Sequence, residues 1–223
     1  MGPVIAILGA ESTGKTTLAH TLALELRALG CSAVVVREVL REFCDAHGRT
    51  PQPHEQFAIA AEQWRRIEAA AQNGSTVVAD TTPLMIALYS QFLFDDASLR
   101  AGALELQRRC RQTLLTGLDL PWQADGLQRD GPQVREPVDA LIRSALAEAA
   151  LPHAVIYGTG AARTAAALAA VRPALGLPEP TQATPADCAS DSPGTASRLT
   201  ARCRECLVPD CEHLAFTAKA PNR

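Results

Sequence analysis

Aromatic residues are scarce in this 223-residue chain, at 4% of the total, and Ala is heavily used, so helix should be abundant. Positive charge is not in excess either: 21 Lys and Arg face 24 Asp and Glu, for a formal net charge of -3. Phosphate backbones and anionic lipid surfaces are held by surplus Lys and Arg, so neither nucleic acid nor membrane is an expected partner. The opening MGPVIAILGA carries a short apolar run with no basic flank, which fits neither a signal peptide nor a membrane span. Gly2 follows Met1, but position 6 is Ala where a myristoylation signal requires Ser or Thr. No targeting segment and no internal repeat is evident, so a cytoplasmic protein is expected. Its seven Cys then read as thiols or metal ligands in a reducing compartment instead of a disulfide framework.

What is present is an alternation of short apolar runs and longer helical patterns. Uniformly apolar Val4–Leu8 reads as a parallel strand buried on both faces, and Ala33–Val36, Thr76–Ala79, Thr113–Thr116 and Ala154–Tyr157 read as further strands beside it. Helical spacing between them predicts helices over Thr16–Leu29, Glu38–His47, His54–Gln72, Pro83–Phe94, Leu99–Arg109, Glu136–Ala149 and Ala161–Leu175. Five alternations imply an α/β three-layer sandwich with a five-stranded parallel sheet. The expected organisation is a P-loop kinase-like domain over residues 1–175, a Pro/Thr/Ser-rich linker over 176–198 and a Cys-rich tail over 199–223.

Between the first strand and the first helix stands Gly9-Ala10-Glu11-Ser12-Thr13-Gly14-Lys15-Thr16, followed by Thr17. This is the G-x-x-x-x-G-K-[ST] phosphate loop in the context it requires. Its glycines let backbone N–H groups turn toward phosphates, the helix directs its positive end at them, and Lys15 adds a full charge. ATP is the implied nucleotide, and Thr16 is the candidate ligand for its Mg2+. The third strand ends in Asp80, which suits a metal-bound water or a base. Thr81 follows where mechanical ATPases usually place a Glu that polarises water, which favours transfer to an acceptor over hydrolysis. The segment over 118–142, hinged by Gly and Pro, offers Arg129 and Arg135 as lid cations that neutralise a migrating phosphoryl group and exclude water.

The combination GAESTGKTTL, REVLREF, VVADTT and DLPWQADGLQRDG with VRE resembles the ribosylnicotinamide kinase domain of the bacterial NAD biosynthesis regulator, within the P-loop ATPase and kinase family. The resemblance covers about residues 3–175. It implies the fold of nucleoside and nucleotide kinases, with the Asp80 strand beside the phosphate-loop strand. It also implies catalytic roles for Lys15, Asp80, Arg129 and Arg135. Glu38, Arg41 and Glu42 match the segment where such kinases place the acceptor, and a carboxylate there would hold ribose hydroxyls or take the proton of the attacking hydroxyl. Gly158 matches the turn over which adenine lies. The resemblance does not carry over the regulator's DNA-binding and adenylyltransferase functions.

The tail places Cys203, Cys206, Cys211 and His213 in C-x2-C-x4-C-x-H, four ligands that fit a closed tetrahedral Zn2+ site. The reading that emerges is an ATP-dependent kinase for a nucleoside-like acceptor, with nicotinamide riboside the best single candidate. The alternative is a nucleotide-responsive regulatory or scaffold ATPase whose Cys-rich tail engages a protein partner; homo-oligomerisation is compatible with either.

Overall fold

In the computed structural model, which describes residues 1–123 and 131–178, the strands are β1 (Val4–Leu8), β2 (Ala33–Val36), β3 (Thr76–Asp80), β4 (Gln112–Thr116) and β5 (Ala154–Ile156). They form one parallel sheet in the order β2-β3-β1-β4-β5. Every residue of β1 and β3 is buried, which is why β1 and the Val77–Ala79 centre of β3 read as apolar runs instead of alternating ones. The helices are α1 (Lys15–Ala28), α2 (Val39–His47), α3 (Gln56–Gln72), α4 (Pro83–Phe94), α5 (Arg100–Arg108), α6 (Arg135–Glu148) and α7 (Gly160–Leu175).

Strand alternation divides the core into two layers. Ile5, Ile7, Val78 and Leu114 face one side, where Leu18, Leu22 and Leu26 of α1 and Leu168 and Val171 of α7 cover them. Val4, Val77 and Ala79 meet Trp64 and Ile67 of α3 on the other side, while Leu8 and Leu115 meet α4, α5 and α6 through Leu84, Leu88, Ala103, Val138 and Ile142. Leu and Ile side chains of this kind contribute about 1.5–3 kcal/mol each when fully buried.

The sequence-based boundaries shift by a residue or two. Helix α3 starts at Gln56 because Pro53–Glu55 form a single 3-10 turn, fixed by reciprocal bonds between the ends of Gln52 and Glu55. β5 stops at Ile156, so Tyr157 lies beyond the strand. Helix α1 is closed as expected, with Gly30 at φ +83 donating to the Arg27 carbonyl.

The topology places the site. From β1 the chain moves outward to β2, returns through β3, and then crosses β1 to reach β4. The crossing leaves a crevice at the carboxyl ends of the central strands, where open α/β sheets bind ligands. Register pairs Ile7 of β1 with Asp80 of β3, so the phosphate loop and the acidic strand end emerge side by side, as the resemblance implied. Among the described residues, no helix is long and apolar enough to cross a membrane.

Candidate nucleotide and acceptor site

The phosphate loop leaves β1 at Gly9 and enters α1 at Lys15, using positive φ at Gly9, Ser12 and Gly14. Gly9 is obligatory for a second reason: a Cβ there would fall 1.9 Å from Thr116 Oγ1. Inside the loop, Ala10 O accepts from Thr13 Oγ1 at 2.7 Å and from Lys15 Nζ at 2.8 Å. With the Thr13 proton on Ala10 O, Thr116 Oγ1 donates to Thr13 Oγ1 at 2.7 Å, with Leu8 O at 3.1 Å as its alternative acceptor. Two buried threonines thereby tie the loop to the ends of β1 and β4. Thr16 and Thr17, in the first turn of α1, are exposed toward the crevice.

A third support comes from α7. Arg163, 5% exposed, donates to Thr13 O at 2.8 Å and to Gly158 O at 3.0 Å. Burial lowers the pKa of its guanidinium, and the nearby carboxylate of Asp119 opposes that shift. Asp119 also accepts from the Gly158 backbone N–H at 2.6 Å. Gly158, at φ +89, is therefore held between the phosphate loop and the segment after β4.

The structure separates the predicted lid arginines. Arg135 does not hang on a free loop: it is the first residue of α6, buried, and donates to the carbonyls of Leu118 at 3.2 Å and Leu120 at 2.8 Å. Placement at a helix start beside unpaired loop carbonyls makes it the anchor of the segment instead of an exposed cation. Ser12 of the phosphate loop accepts from the Gln123 backbone N–H at 2.7 Å, so the same segment is also tied to the loop. Arg129 lies outside the described residues, as do Cys203, Cys206, Cys211 and His213.

Asp80 is 2% exposed, and its Oδ1 has no hydrogen-bond partner among the described residues. A buried carboxylate oxygen left in this way costs free energy unless a cation or water meets it. A carboxylate oxygen of this kind, with the exposed Thr16 hydroxyl at the start of α1, is the hard oxygen donor type Mg2+ takes. Thr16 and Asp80 would hold the ion, and the ion would supply charge neutralisation on the phosphates.

The phosphate loop borders a cavity of about 540 Å³. Its lining combines Glu11 to Thr17 of the loop, Glu38, Arg41 and Thr81, buried Met85 and Ile86, and exposed Leu93 and Phe94. Glu38 caps the start of α2 and is partly buried. Desolvation raises its carboxyl pKa, the charge of Lys15 works against the rise, and Asp80 adds to it. Its backbone is fixed by Gln63, fully buried on α3, whose Oε1 accepts from Val39 N–H at 2.8 Å while its Nε2 donates to Arg37 O and Thr81 O at 3.3 and 3.4 Å. The acidic-basic segment divides here. Glu38 and Arg41 line the cavity, whereas Glu42, one turn on, pairs with Arg66 at 2.6 Å and does not.

A family model for the AAA domain matches residues 4–163. The chain belongs to that family. The matched span runs from β1 through Arg163, so the loop, Asp80, the cavity and the α7 brace all lie within the AAA domain. No curated protein matches the sequence. Among solved structures, a NadR protein in complex with NAD and AMP-PNP is similar at TM-score 0.63 and 18% identity, over 80% of this chain and 51% of that one. A NadR protein in complex with NR gives TM-score 0.63 and 18% identity over 79% and 52%. Thymidylate kinase from Ehrlichia chaffeensis gives TM-score 0.52 and 16% identity over 71% and 88%. The chain thus spans about half the length of the NadR structures it matches, and the likeness establishes a P-loop kinase-like fold.

The sequence reading missed Thr116, Asp119, Arg163 and Gln63. Arg163 left a trace: it is the one cation near the start of the Ala-rich stretch GAARTAAALAA, directly after a double-glycine turn.

Proposed function

We propose that this AAA domain is an ATP-dependent kinase that moves the γ-phosphate to a hydroxyl of a nucleoside-like acceptor. One observation carries the reading: the phosphate loop, Glu38 and the apolar side chains of Met85, Ile86, Leu93 and Phe94 line a single cavity of about 540 Å³. A hydrolase needs room only for water, whereas a phosphotransferase needs a second chamber in line with the phosphates. Thr81 in place of a water-polarising Glu agrees with this. Similarity to structures of a NadR protein with NR and of a thymidylate kinase supports an acceptor of nucleoside or nucleotide type, with nicotinamide riboside the first candidate.

In this reading the loop amides and Lys15 bind the phosphates, and Lys15 exchanges the Ala10 carbonyl for phosphate oxygen. The acceptor oxygen bonds to the γ-phosphorus as the bond to the β–γ bridging oxygen breaks, ADP leaves, and the hydroxyl proton passes to a carboxylate. Glu38 is the better proton acceptor, because its pKa is raised and it borders the chamber. Asp80 is occupied with the metal side. Arg41 orients the acceptor.

The test is incubation with ATP, Mg2+ and a nucleoside panel, reading ADP and phosphate esters by mass spectrometry. A new ester with at least one nucleoside is expected. ADP formed at one rate regardless of acceptor, with no ester, would instead mark a hydrolase.

A further inference from the structure

At the wall of the same cavity stands a polar group that the phosphotransfer chemistry does not use. Gln56 opens α3, is 5% exposed, and lines the chamber. No hydrogen bond among the described residues involves its side-chain amide. The amide N and O face the cavity and are not sealed from water, so a ligand offering both a donor and an acceptor can replace the water there.

Local structure holds the amide in place. Arg49 grips Glu55 through two bonds of 2.7 and 2.8 Å, and Glu55 also accepts from the Gln52 backbone N–H, so the turn entering α3 is fixed. One turn after Gln56, Ile59 and Ala60 pack with Val39 and Ile86 and seat the helix against the chamber. Met85, Ile86 and Phe94 supply apolar surface suited to the faces of a flat ring. Among the described residues, the carboxylates that border the cavity are Glu11 and Glu38.

We infer that Gln56 is a specificity-determining residue that reads the edge of the acceptor's heterocycle. Its carbonyl accepts from, and its NH2 donates to, an amide edge: adjacent N–H and C=O groups. The substrate class is a ribonucleoside whose ring bears such an edge, either an exocyclic carboxamide or a ring imide. This inference rests on the kinase reading, which concerns the phosphate side, and narrows the acceptor on the other side.

The experiment compares kcat/KM for nicotinamide riboside (carboxamide), uridine (imide) and ribosylpyridinium (no amide edge), with wild type and Gln56→Met. A site built around a hydrogen bond rejects an analogue lacking it strongly, so wild type should favour the better amide-edged nucleoside over ribosylpyridinium by about a hundredfold. Whichever of the two is faster names the source of the edge. Gln56→Met should shrink the ratio below about tenfold. Equal rates for all three nucleosides in wild type, or an unchanged ratio in Gln56→Met, overturns the inference, and the wild-type comparison stands even if the variant fails to fold. Should no nucleoside gain a phosphate, the kinase reading falls. Gln56 is then judged by calorimetric binding of the three nucleosides in the presence of AMP-PNP: selective binding lost in Gln56→Met upholds it, and unselective binding overturns it.

Discussion

Thr13 and Thr116 join hydroxyls at 2.7 Å across 103 positions of sequence, and this bond sets the phosphate loop on the end of β4. It also fills the space that the missing side chain of Gly9 leaves.

Gly9→Ala should therefore abolish nucleotide binding or folding, since the new Cβ meets Thr116 Oγ1 at 1.9 Å and the backbone is at φ +154. Adding Thr116→Ala removes the nearest atom and should restore part of the thermal stability. It will not restore all of it, because the backbone strain remains and buried hydroxyl bonds worth about 1 kcal/mol each are lost. Calorimetric melting of the two single variants and the double variant measures the coupling.

Lys15→Ala should slow phosphate transfer, or any ATP turnover, at least about a hundredfold, as loss of a charge-stabilising donor does. Steady-state ADP release checks this, with circular dichroism as the control for fold.

Arg163→Ala tests the brace on α7. Two charge-assisted bonds to Thr13 O and Gly158 O disappear, at about 1.5–3 kcal/mol each before relaxation. Both carbonyls belong to turns read here as nucleotide contacts, so affinity for AMP-PNP should fall about tenfold or more, while acceptor binding changes less. An unchanged nucleotide affinity would confine Arg163 to stability alone.

Glu38 gives a prediction with opposite signs for stability and activity. Burial chiefly raises its folded-state pKa above the ordinary 4.5, against the pull of Lys15 and with the push of Asp80. A carboxyl with a raised folded pKa binds its proton more tightly when folded, so its contribution is favourable at pH below 4.5 and is lost as pH rises through the folded value. Glu38→Gln should melt higher than wild type near pH 8, and the two should converge near pH 4. The same substitution should remove most of the activity if Glu38 takes the proton, and the wild-type rate should fall as pH drops through the raised pKa.

These cases show what was legible in the sequence. Val4–Leu8 and Val77–Ala79 announce themselves because strand residues covered on both faces are apolar, and the Gly9–Thr16 spacing is dictated by phosphate geometry. Glu38 and Glu42 look alike in sequence, but a one-turn difference on α2 sends one to the chamber and the other to Arg66. Gln56 and Gln63 were illegible for a related reason. A glutamine on a helix reads as solvated surface until the neighbours that bury it are known. Arg135 reads as a lid cation because sequence does not tell an arginine reaching outward from one turned back onto Leu118 and Leu120.

The three bonds of Gln63 carry a kinetic consequence. By fastening the backbones at Arg37, Val39 and Thr81 to one buried side chain, they hold the two walls beside Glu38 at a set spacing before any acceptor arrives. Acceptor association then requires no rearrangement on this side of the chamber. Its rate should depend on passage by Leu93 and Phe94, and selection among acceptors should show mainly in how fast each one leaves.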